Sequence, residues 1–174
     1  MKISAISRTG AVKSQLMIKK HMTSKSGTYA LVLRSFKRTS AQIGRRGRLD
    51  IVPGYYIYVG SAFGPGGVRA RVSRHFQKSK LKHWHIDYLR EHTDPVFVWY
   101  SCEPVRLEHR WAQAISEMEE TSPVKGFGCS DCGCLTHLLA LENEPSLSRF
   151  RSAVGGPVET WICKSRKTTM SRLF

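Results

Sequence analysis

Glu108, Arg71, His75, Tyr29 and Tyr58 are the side chains of this sequence whose types and placement could do chemistry together. A carboxylate is a hard oxygen ligand for a divalent cation. A guanidinium clamps an oxyanion through two parallel hydrogen bonds, and phenol and imidazole groups orient or carry protons. A second set, Cys129, Cys132, Cys134 and His137, gathers sulphur and nitrogen ligands in one short stretch with the Cys-x-x-Cys step common in zinc sites. Zinc sites usually join ligand pairs from separated segments, and here only His83 or His85 offers a distant partner. Reduced thiols in a tight Gly-rich turn are the other reading of the same residues. Asp87, close to both His83 and His85, leaves a further ligand set open.

Local patterns place these side chains. Residues 28–35 are dense in β-formers and predict a largely buried strand that begins beside Tyr29. A short strand at 49–52 precedes the Pro53-Gly54 turn, and residues 55–60 form another strand. Its period of two sends Tyr56 and Tyr58 to one face and Tyr55, Ile57 and Val59 to the other. After a Gly-rich loop over 61–67, Val68, Val72 and Phe76 make one helical stripe with Arg71 and His75 alongside. A helix near 84–91 and a strand at 96–100 follow. Leu107, Trp111, Ala114, Ile115 and Met118 then share a helix face, with Glu108 half-buried at its border. Residues 136–141 read as a last strand and 146–154 as a weak helix before a basic tail. Strands and helices mixed in this order favour an α/β or α+β sandwich over a helical bundle.

The chain has 174 residues, enough for one domain with its own core. Its 28 Lys and Arg against 13 Asp and Glu give a net charge of +15, which points to a polyanionic partner. No window is apolar enough for a spanning helix, and the five Cys do not form a disulfide framework, so a soluble cytoplasmic protein is expected. Residues 1–26 contain no acidic side chain and read as a flexible basic arm; a transit peptide, or a true start at Met22, would look alike.

Gly27-Thr28-Tyr29 and Tyr58-Val59-Gly60 resemble the two halves of the signature of the GIY-YIG nuclease superfamily. Arg71, His75 and Glu108 follow in that family's order. The stretch 27–142, with Gly54-Tyr55-Tyr56-Ile57-Tyr58-Val59-Gly60-Ser61-Ala62, His83-Trp84-His85-Ile86-Asp87-Tyr88-Leu89 and Gly126-Phe127-Gly128, resembles the Uri-type branch of stand-alone predicted endonucleases. Thr28 and Val59 depart from the motif, and a Gly-Pro-Gly-Gly insert lengthens the loop before Arg71. The resemblance implies a small three-stranded antiparallel sheet flanked by helices and a metal-dependent endonuclease. In it Glu108 holds Mg²⁺ or Mn²⁺, Arg71 grips phosphate, Tyr29 is the general base, and Tyr58 and His75 orient water or phosphate oxygens.

Nucleic acid, DNA first, is therefore the expected partner and no membrane is expected. Arg45, Arg46, Arg48, Arg74, Lys78, Lys80, Lys82, His83, Trp84 and His85 are candidates to track its backbone, with Trp84 either stacking on a base or entering the core. A non-catalytic nucleic-acid-binding module and a zinc-organised interaction domain are the competing readings. The expected organisation is an arm over 1–26, a nuclease-like domain over 27–142 and a partly helical or disordered extension over 143–174.

Overall fold

A computed structural model describes Ile18, residues 21–77 and residues 80–163. Most of the basic arm, Lys78 and the basic tail from 164 onward lie outside the described residues. In chain order the elements are β1 (Thr28–Ser35), β2 (Thr39–Ile43), a 3₁₀ turn (Gly44–Arg46), β3 (Gly47–Ile51), β4 (Gly54–Ser61), α1 (Gly67–Phe76), α2 (His85–Leu89), β5 (Asp94–Ser101), α3 (Glu108–Ser116), β6 (Ser122–Pro123), β7 (Leu138–Leu141), α4 (Leu147–Val154) and β8 (Glu159–Ile162).

The mixed α/β class is as expected, but the sheet has six strands where three were expected. Its order is β6-β7-β4-β1-β5-β8, antiparallel throughout, with β2 and β3 forming a separate hairpin. Strands β4, β1 and β5 are the inner strands of this wider sheet. Short strands extend them on both sides because β4 and β5 would otherwise present unpaired backbone at an apolar edge. Edge strand β8 comes from the stretch expected to be helical or disordered. It pairs Trp161 with Val98 and Glu159 with Tyr100.

Strand alternation divides the core into two layers. On one face Tyr29, Leu31, Leu33, Tyr56, Val98 and Tyr100 pack against α1, α2, the β2–β3 hairpin and Phe127. On the other, Ala30, Val32, Tyr55, Ile57, Val59 and Trp99 pack against α3 and α4. The division of the β4 tyrosines is the one their spacing predicts.

The chain ahead of β1 is tied to the body. Val68 and Arg69 amides donate to the Lys25 and Thr23 carbonyls, and Gly67, with a φ of +55°, lets that backbone pass where a Cβ would overlap it.

Helix α4 belongs to the core as well. Phe150 is 1% exposed, with its ring centroid 4.3 Å from Trp99 and 5.1 Å from Trp111. Phe150→Ala should therefore destabilise the protein by about 3–5 kcal/mol. Denaturant unfolding followed by tryptophan fluorescence checks this, and a loss near zero would mean α4 is not integral to the fold.

Candidate active site

The cleft at the end of the sheet where β1 begins and β4 finishes has a volume of about 560 Å³, and Tyr29, Tyr58, Arg71, Glu108 and His137 are among its lining. Each is delivered by a different element. Tyr29 lies opposite Gly60 in the β1–β4 register, and a Cβ on Gly60 would overlap the Tyr29 phenol. Glycine at that position lets the ring lie across the neighbouring strand. Gly27 meets the same kind of limit, since its Cβ would overlap the Ser101 carbonyl of β5. The glycines of both tripeptides thus have steric reasons.

Thr28, a departure from the motif, has a role of its own. Its buried hydroxyl accepts the Leu107 amide at 3.0 Å, which fixes the start of α3 to the start of β1. Glu108 is the next residue. It is 7% exposed, its Oε1 lies 3.8 Å from the Arg106 guanidinium and 3.9 Å from His109 Nε2, and its Oε2 is buried without a hydrogen-bond partner. A buried carboxylate oxygen left unpaired is costly, and a hard cation is a partner of the right chemistry for it.

His75 stands behind the cleft, not in it. It is fully buried, and its Nε2 shares a 2.7 Å hydrogen bond with the Tyr29 hydroxyl. Burial drives its pKa down to about 3, with Lys80 adding to the effect, so the imidazole is neutral. Burial pushes the Tyr29 hydroxyl well above its ordinary pKa, with Tyr58 adding to the rise, and burial also raises Tyr58. His75 therefore positions Tyr29 and is not among the residues that line the cleft. Arg90, itself buried, donates Nε to the His75 carbonyl at 2.8 Å and a further hydrogen bond to the Thr93 carbonyl.

Arg71 lies 4.6 Å over the Trp84 ring, and Arg74 lies 4.7 Å over the same ring. Trp84 is partly buried and packs against the core cluster, the second of its two expected placements, and it carries both guanidinium groups over its ring, so it is a platform for Arg71. The Gly-Pro-Gly-Gly insert leaves Arg71 in the cleft with Tyr58.

Several other expected backbone-tracking cations are engaged within the chain. Asp87 is paired with Lys80 at 2.6 Å and Arg74 at 3.0 Å, and accepts the His83 and Trp84 amides. Burial alone would raise the Asp87 carboxyl, but the Lys80 contact and those two amides outweigh it and hold it at about 2. Asp87 is thus the anchor of the α2 start, and the metal set imagined around it does not form. Lys82 pairs with Glu91 at 2.8 Å, Arg48 with Asp50 at 3.7 Å, and Arg46 donates to the Lys125 carbonyl. His85 Nδ1 accepts the Gly128 amide. Arg45 and Arg48 are both exposed, and His83 lines the cleft.

The soft-ligand set is present with one substitution. His109, Cys132, Cys134 and His137 bring their ligand atoms within 4.8 Å of one another. Cys129 is not among them, and its thiol turns to the Leu135 carbonyl. The second segment is the first turn of α3, not His83 or His85. His109 and Arg106 were missed because neither belongs to a motif; their one signal was proximity to Glu108.

The family model described as "Domain of unknown function DUF123" matches residues 28–156, and the chain belongs to that family. No curated protein and no solved structure matches it. No described helix is long and apolar enough to cross a membrane.

The buried imidazole gives the fold a pH signature. From pH 6.5 down to about 3 the unfolded chain takes up a proton at His75 that the folded chain refuses, so stability falls as pH falls. The slope this group contributes is at most about 1.4 kcal/mol per pH unit. His85 and His137, also lowered by burial, act in the same direction. His75→Gln should flatten, without abolishing, the drop in unfolding free energy between pH 6.5 and 5. Equal slopes in denaturant titrations of the two proteins would refute the neutral buried His75.

Proposed function

We propose that this member of the DUF123 family is a metal-dependent endonuclease of the GIY-YIG type, Uri-type branch, hydrolysing phosphodiester bonds of nucleic acid, with DNA as the favoured substrate. The observation that carries the reading is the unpaired, buried Oε2 of Glu108 on a cleft shared with Tyr29, Tyr58 and Arg71. A binding module needs cations but has no use for a buried carboxylate oxygen without a partner.

In this reading Glu108 would hold a Mg²⁺ or Mn²⁺ ion, which when bound would supply positive charge and lower the pKa of a water. Arg71, steadied on Trp84, grips non-bridging oxygens and stabilises the charge that develops on them. Exposed Arg106, whose Nη1 donates to the Ser61 hydroxyl at 3.3 Å, adds positive charge at the same rim. The resemblance makes Tyr29 the general base, a role that needs its phenolate. Burial holds the phenol protonated at rest, so the positive charge of Arg71 and of a cation at Glu108 would have to lower its pKa before it takes the proton of the attacking water, while His75 Nε2 fixes the direction of its hydroxyl. Tyr58, beside both rings at centroid distances of 6.5 and 5.9 Å, limits where the water can sit.

Glu108→Gln keeps the size of the side chain and removes its charge. With labelled duplex, forked and single-stranded DNA and a structured RNA, and Mg²⁺ or Mn²⁺, it should abolish cleavage while leaving affinity nearly unchanged. Tyr29→Phe should lower the rate by about 10²–10⁴-fold. Salt-sensitive binding without cleavage by the wild-type protein would establish the non-catalytic binding module instead.

A further inference from the structure

We infer that His109, Cys132, Cys134 and His137 form a resident zinc site that locks the loop between β6 and β7 onto the first turn of α3 and so fixes the orientation of Glu108. The site draws its ligands from two distant segments, as structural zinc sites do. His109 Nδ1 lies 3.1 Å from Cys134 Sγ, and His137 Nε2 lies 3.4 Å from Cys132 Sγ. In a zinc tetrahedron with bonds of about 2.0 Å to nitrogen and 2.3 Å to sulphur, neighbouring ligand atoms are roughly 3.3–3.8 Å apart, so both spacings are close to those of a closed site.

Both imidazoles are oriented as ligands. His137 is 5% exposed, and its Nδ1 faces the Val59 carbonyl at 3.3 Å. A carbonyl only accepts, so Nδ1 carries the proton and Nε2 turns its lone pair to Cys132. His109 directs Nδ1 into the cluster and Nε2 toward Glu108 Oε1 at 3.9 Å. That separation is too long for a hydrogen bond, so the restraint on Glu108 comes through the backbone: His109 is the next residue of the same helical turn, and an ion that holds its ring fixes that turn. With two thiolates the centre is electrically neutral. Its charge therefore does not satisfy Glu108, whose Oε2 remains available to a hard cation.

Only the consequence for cleavage rests on the nuclease reading; the ion and its ligands do not. Full-length protein purified without chelators should contain about one zinc per chain by elemental analysis. X-ray absorption at the zinc edge should report two sulphur and two nitrogen neighbours. Cys134→Ser and His109→Ala should lose most of the ion, while Cys129→Ser and Glu108→Gln retain it. Less than a tenth of an equivalent after reconstitution with zinc, a shell of three sulphurs, or loss of zinc in Cys129→Ser would each overturn the site. In His109→Ala the Mg²⁺ concentration for half-maximal cleavage should rise about 10-fold or more. An unchanged requirement with the zinc lost would overturn the coupling to Glu108. If wild-type protein holds zinc in that shell yet cleaves nothing, the zinc site stands and the nuclease reading fails.

Discussion

The first two residues of β1 hold both helical layers. Because adjacent strand residues point to opposite faces, Thr28 can reach the start of α3 while Tyr29 reaches His75 on α1. Two neighbouring positions thus fix a carboxylate from one layer and a phenol from the other around the same cleft. The rest of the sheet keeps this point rigid: β1 is its central strand, flanked along its length by β4 and β5. Shifting β1 by one residue would exchange the faces of Thr28 and Tyr29, so the register of β1 is as much a part of the site as its side chains.

Burial explains why the site's groups are neutral. His75 and Tyr29 are surrounded by the apolar face that carries Leu31, Val72 and Ile86, and each is pushed toward its uncharged form. Glu108 differs because it opens α3, where the helix leaves the second core layer. One of its oxygens faces Arg106 and His109, and the other is buried with no hydrogen-bond partner. The hard oxygen of Glu108 and the sulphur and nitrogen ligands beside it form two environments of different softness within one cleft.

Among the described residues the positive charge does not form one continuous stripe. Asp87 gathers Lys80 and Arg74, Lys82 faces Glu91, and Arg90 is buried among carbonyls. Much of the positive charge near the cleft is thus structural, and Arg71 and Arg106 are the arginines that line the cleft itself. Arg71 keeps its place because Trp84 supports the guanidinium from one side, much as a bound base would have been supported.

Where apolar spacing sets structure locally, the sequence was enough. The span of β1, the face change along β4, the α1 stripe and the amphipathic α3 with Glu108 at its border all follow from periods of two and 3.6. The order of Tyr29, Tyr58, Arg71, His75 and Glu108 was also legible, because a motif is local. What only the tertiary structure decided depends on contacts between segments far apart in the chain. Such contacts bring His109 to Cys132, Cys134 and His137 in place of Cys129, set Trp84 beneath two arginines, and put His75 behind Tyr29. Spacing within one segment carries no information about which distant segment will complete a ligand set or cover a ring. The edge strands β6 and β8 were hidden for the same reason: they are too short to show a period, and they exist because the strands next to them need partners.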